Sequence, residues 1–142
     1  MASNDHFELG RKIRTDVLGS KRVKELLDNA DDFNRPLQEL VTEYCWGKCW
    51  GSEGLDRKQR SLLNLGMLAV LNRPSEFSLH FEAAIGNGLT LKELRDVLIQ
   101  ITIYCGVPAG IEAQRLANTV IANLREAGDL READFQDLSI GD

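Results

Sequence analysis

Residues 57–88 read RKQRSLLNLGMLAVLNRPSEFSLHFEAAIGNG, and the interpretation of this stretch decides the fold. Between Ser61 and Leu71 the only polar side chain is Asn64, so the segment predicts a helix that is apolar nearly all round. Arg73-Pro74 interrupts it, because proline lacks an amide proton and disfavours helical geometry in the residue before it. In the helix that follows, Phe77, His80, Phe81 and Ala84 recur at spacings of three and four, which places them on one face. His80 therefore points inward with two phenylalanines, with Arg73 at the break and Glu76 one turn upstream. An ionisable ring on an apolar face, beside charges of both signs, is the first candidate for chemistry.

Upstream, residues 6–18 alternate apolar and charged residues as a surface helix does, with Phe7, Ile13 and Val17 inward. Gly19 ends it and Ser20 is placed to cap a helix over 21–29 carrying Val23, Leu26 and Leu27. Asn34 and Pro36 open another, with Leu37, Leu40, Val41, Tyr44 and Cys45 inward, running into the block WGKCW at 46–50. Downstream, Thr90-Leu91-Lys92-Glu93 has the form of a capping box and opens an apolar helix ending at Tyr104-Cys105. Gly106-Val107-Pro108 breaks it, and a last helix runs from about 109 to 127 with Ile111, Leu116, Val120, Ile121 and Leu124 on one side. No strand pattern occurs, so the fold class is all-α. Residues 1–128 form the helical domain, and 129–142 are an acidic tail that either docks on a neighbour or is disordered. Two helices apolar all round exceed what one small bundle covers, which implies a homo-oligomer.

At 142 residues the chain is long enough for one cored domain, and its 43% hydrophobic and 27% charged residues are those of a globular protein. A net charge of −5 without a basic cluster argues against nucleic acid or an anionic membrane as partner. The longest apolar run falls short of a membrane span, and the polar start lacks a signal-peptide core. Three cysteines, an odd number, fit a reducing, cytoplasmic setting. With two histidines and no C-x-x-C, no metal site is expected.

His80 is either a proton-transfer group or a core histidine satisfied by a neighbour. Arg60 and Arg73 stand at the two ends of the apolar helix; their planar forks suit an anionic substrate, and capping or surface pairing is the alternative. Trp46 and Trp50, four apart, either wall a pocket for a planar ring or pack as core. Cys45 and Cys49 form C-x-x-x-C, and Cys105 lies near the start of the last helix; each is a thiol-chemistry candidate or a buried inert thiol.

The blocks WGKCW, DRKQRSL, LNRPSEFSLH, NGLT and IYCGVPA, in that order between about Leu9 and Leu124, resemble the carboxymuconolactone decarboxylase family. The resemblance implies the AhpD-like all-helical bundle assembling as a homotrimer or homohexamer. Its histidine and preceding acid match His80 and Glu76, and its arginines match Arg60 and Arg73. Its tyrosine–cysteine pair and two tryptophans match Tyr104, Cys105, Trp46 and Trp50. Two departures reshape the pocket: Tyr44-Cys45 stands where typical decarboxylases read His-Ala, and Gly110-Ile111-Glu112-Ala113-Gln114 replaces Ala-Asn-Ser-Ala-Phe. The peroxidase branch carries a C-x-x-C near the histidine helix; here that stretch is Arg73-Pro74-Ser75-Glu76.

The activity so implied is decarboxylation of a small anionic lactone, 4-carboxymuconolactone to its enol-lactone, in aromatic catabolism. The carbanion left by CO2 spreads to the lactone carbonyl, so no cofactor is required. Arg60 and Arg73 then hold the second carboxylate, His80 donates the proton with Glu76 orienting its ring, and Trp50, Phe77 and Leu79 exclude water. The alternatives are a related decarboxylation or isomerisation in secondary metabolism, a thiol-redox protein using Cys45 and Cys49, and a non-catalytic helical oligomer.

Overall fold

The computed structural model describes residues 2–139, with side chains from Asp5 onward. It is helical, and no strand occurs among the described residues. The helices are α1 (Ala2–Leu18), α2 (Ser20–Asp28), α3 (Arg35–Leu40), a π-helix (Val41–Cys49), α4 (Arg57–Val70), α5 (Pro74–Gly86), α6 (Leu91–Cys105), α7 (Val107–Glu126) and α8 (Ala133–Gln136). The chain falls into two compact units, one ending at Arg57 and one beginning at Lys58.

In the first unit α1 packs on the π-helix, and the close approach explains a glycine. A Cβ at Gly10 would collide with the Thr42 carbonyl oxygen and stand 2.8 Å from the Gly47 nitrogen. Arg14 is buried here, its guanidinium donating to Gln38 Oε1 at 3.0 Å and Thr42 Oγ1 at 3.1 Å. Burial pulls the Arg14 pKa down, with Cys45 opposing. Thr42 Oγ1 in turn donates to the Gln38 carbonyl at 2.7 Å, so one buried polar chain spans the junction of α3 and the π-helix. The wider winding closes with Trp50 N donating to Cys45 O at 2.9 Å, a five-residue step.

Several expectations for this unit are corrected. Gly19, not Ser20, is the N-cap of α2, with Ser20 the first helical residue. Asn34 is the N-cap of α3 but makes no side-chain cap bond; its Oδ1 accepts from Asp31 N at 3.0 Å instead. Leu37, Leu40, Tyr44 and Cys45 are exposed rather than inward, because the face that meets α1 is Thr42, Trp46 and Gly47.

In the second unit, Leu65 from α4, Phe77, Phe81 and Ala84 from α5, Leu91, Leu94, Leu98 and Ile101 from α6, and Ala113 and Ala117 from α7 form one core. Full burial of each large side chain contributes about 1.5–3 kcal/mol. Arg73 is the N-cap of α5 and Pro74 its first residue, where a missing amide proton costs nothing. The capping box forms as expected, Glu93 N donating to Thr90 Oγ1 at 3.1 Å and Thr90 N to Glu93 Oε1 at 3.0 Å. α7 begins at Val107, two residues earlier than the proline suggests, since Pro108 sits within the tolerant first turn. Its inward face is Gly110, Ala113 and Ala117, so Ile111 is exposed. The tail packs on its own unit: Leu130 is buried in the core and Arg95 donates to the Leu138 carbonyl at 2.9 Å. Its last three residues lie outside the described residues.

Candidate active site

The α4–α5 pair places His80. Asn87 Nδ2, at the C-cap of α5, donates to Ser61 Oγ at 2.9 Å, and Asn64 Nδ2 lies 3.5 Å from His80 Nδ1. Ser61 and Asn64 are three apart on α4, and His80 stands seven residues before Asn87, so both contacts lie along one seam. His80 is half-buried, neither out in solvent nor sealed in the core, and Phe77 and Phe81 flanking it on the same helix are fully buried. Burial holds its imidazole below the ordinary value of 6.5, and the Glu76 carboxylate pulls in the opposite direction. The ring is therefore neutral at pH 7.

A cavity of about 370 Å³ opens in the same unit where the end of α4, the start of α5 and the start of α7 converge. Leu68, Val70, Phe77 and Leu116 supply apolar wall, while Arg73, Asn72, Cys105 and Glu112 supply polar groups. The Arg115 bond at 2.6 Å holds the Glu112 carboxyl below the usual carboxylate range. Arg73 and His80 are seven residues apart, about 10 Å along the helix, with Phe77 between them. Phe77 lines the cavity and His80 does not.

Of the residues expected at the site, Arg73 and Cys105 share this cavity. Glu76 is exposed and raises the His80 pKa through its charge, and the Asn64 amide lies against the Nδ1 of the ring. Arg60 is half-buried on the first turn of α4. Tyr104 is 82% exposed and outside the cavity lining, because the α6 core face is carried by Leu98 and Ile101. Trp46 and Trp50, 4% and 7% exposed, pack on each other in the first unit with ring centroids 4.8 Å apart. Partial burial pushes the Cys45 thiol up, Cys49 adds to this and Arg14 opposes it, which leaves a protonated thiol at neutral pH. Asn64 is the site residue that sequence reasoning passed over. Its signal was that it is alone among apolar residues on α4.

An all-helical chain with a half-buried neutral histidine one turn along the helix from Phe77, which lines a small, arginine-bearing cavity, narrows the class, and comparison with known proteins completes it. Residues 35–119 match the model of the carboxymuconolactone decarboxylase family, and the chain belongs to that family. It is a carboxy-lyase. The chain is 43% identical to the nitrosuccinic acid decarboxylase npaB of Metarhizium robertsii, over 92% of this chain and 94% of that protein. It is 35% identical to the 4-carboxymuconolactone decarboxylase of Acinetobacter baylyi, over 87% of this chain and 92% of that protein. No helix among the described residues is long and apolar enough to cross a membrane.

Proposed function

We propose that this carboxy-lyase decarboxylates a small dianionic acid whose leaving carboxylate sits on a carbon next to an electron-withdrawing group, with nitrosuccinate the first candidate. The observation that carries the choice is the 43% identity to a nitrosuccinic acid decarboxylase over nearly the whole of both chains. Of the two departures from the typical lactone-enzyme pattern, the run at 110–114 reaches the cavity through Glu112 and Ala113 and accords with a substrate other than the lactone, whereas Tyr44-Cys45 is exposed in the first unit. In nitrosuccinate the bond from C2 to its carboxylate breaks, CO2 leaves, and the electron pair passes onto the nitro oxygens as a nitronate. A solvent proton then returns to that carbon, giving 3-nitropropanoate. The nitro group is the electron sink, so the reaction requires no cofactor.

The roles follow from charge. A ring that is neutral at pH 7 is a poor full acid but a good N–H donor, so His80 serves by hydrogen-bonding the oxygen on which charge gathers. One such donor is typically worth about 10²–10³ in rate. Arg73, which lines the cavity, holds the carboxylate that is not lost, while Arg60 lies at the opposite end of α4 and takes no part in that contact. Phe77 and the aliphatic cavity wall keep water from the leaving carboxylate.

Carboxymuconolactone is the second reading, favoured by the 35% identity to the lactone decarboxylase. Its dienolate would draw on the same donor and on Arg73. The exposed apolar side chains Leu63, Met67, Val70, Ile103 and Ile111 support assembly as a homo-oligomer, with trimer and hexamer the expected states, and light scattering showing a monomer would refute it. The deciding experiment offers each acid to the purified protein and follows CO2 release. Nitrosuccinate is expected to turn over at least tenfold faster by kcat/KM; the reverse order would install the lactone, and release from neither would reject both.

A further inference from the structure

The one polar side chain between Ser61 and the end of α4 meets the histidine of α5. Asn64 Nδ2 stands 3.5 Å from His80 Nδ1, on a helix whose neighbouring residues are Leu62, Leu63, Leu65 and Gly66. An amide NH2 donates, so this contact is a hydrogen bond where the Nδ1 it faces carries no proton in the neutral ring. The imidazole proton then belongs on Nε2. The approach is built in by the helix pair, because the Ser61–Asn87 bond at 2.9 Å fixes the spacing of α4 and α5 one stretch further along, and Ser61 is fully buried.

We infer that Asn64 is a positioning residue that holds His80 as its Nε2–H tautomer, ring plane fixed, so that the N–H rather than a bare nitrogen is offered to the substrate anion. This rests on the reading of His80 as a hydrogen-bond donor to a developing oxyanion. A bare nitrogen at that place would repel the charge it is meant to stabilise, and a histidine in the wrong tautomer is known to cost orders of magnitude in rate. Asn64 is thus tied to the reaction through the ring, without touching the substrate.

Long-range nitrogen–proton NMR of the substrate-free protein, above the pH at which the ring titrates, tests the assignment independently of any substrate. Nδ1 is expected to give the signal of an unprotonated nitrogen and Nε2 that of a protonated one. In Asn64→Leu both signals are expected to move toward the average of exchanging tautomers, while Asn64→Ser, which restores a hydroxyl donor, moves them back in part. With a turned-over substrate, Asn64→Leu is expected to lower kcat ten- to a hundredfold with KM within about threefold. A proton on Nδ1 in the wild-type protein, or spectra unchanged in Asn64→Leu, overturns the inference. If instead the tautomer is as assigned but His80→Phe keeps full turnover, the role given to the histidine fails and the tautomer assignment stands.

Discussion

Replacing two glycines of the second unit by alanine should change stability in opposite directions. Gly66 lies inside α4 with nothing within 4 Å of the place its Cβ would take. Gly66→Ala then gains the helix-propensity difference alone, about 0.5–1 kcal/mol. Gly110 lies in the first turns of α7, where an added Cβ would collide with Thr102 Oγ1 and stand 2.7 Å from Thr102 Cβ and 3.0 Å from Thr102 Cα. Rotating the threonine does not clear the space, since two of these atoms do not move with its side-chain torsion. The hydroxyl is also bonded to the Leu98 carbonyl at 2.8 Å. Helices α6 and α7 must separate, which costs about 1–3 kcal/mol in a packed seam. Against a propensity gain of at most about 1 kcal/mol, the net effect of Gly110→Ala is a loss of up to about 2 kcal/mol. Urea unfolding followed by circular dichroism reads both, as midpoint shifts at unchanged slope. Equal or reversed shifts in the two variants would refute the account of the α6–α7 seam.

Other consequences are as direct. Glu76→Gln removes the carboxylate that raises the His80 pKa, so the ring should titrate lower still, as proton NMR of its carbon-bound protons will record. Because burial depresses this pKa in the folded protein, its contribution to stability is full above about 6.5 and is lost as pH falls from there through the folded-state value. Glu76→Gln should make that loss larger and extend it to lower pH, which acid unfolding curves will show or deny. Arg73→Ala should raise KM for a dianionic substrate about tenfold or more and change kcat little, in keeping with loss of one charge-assisted bond at the cavity. Thr90→Ala opens the capping box of α6 and should cost about 1 kcal/mol in the same urea assay.

Helix existence was legible in this chain because apolar residues recur at helical spacing and because Pro74, Thr90 with Glu93, and Gly106 mark ends by simple stereochemistry. The direction each helix faces was less legible. On α7, Ile111 and its apolar companions drew the eye, but close helix contact favours small residues, and Gly110, Ala113 and Ala117 are the ones buried. On α3 and the π-helix the apolar stripe of Leu37, Leu40 and Tyr44 faces out, since a polar threonine bonded to Arg14 holds the inner face. Nothing in residues 41–49 announces the five-residue winding, which lies where the backbone at Thr42 and Gly47 comes close to Gly10. At the site, His80 and Glu76 stand one turn apart and could be paired by counting. The Asn64–His80 contact depends on how α4 and α5 are set against each other, through the shared core of Leu65 with Phe77, Phe81 and Ala84 and the Ser61–Asn87 bond, and no local pattern shows that.

Turnover by His80→Ala is the most direct measure of whether the imidazole carries the chemistry. With the substrate identified by CO2 release and helicity verified by circular dichroism, kcat is expected to fall at least a hundredfold. A variant that folds and still releases CO2 at near the wild-type rate would contradict the central claim.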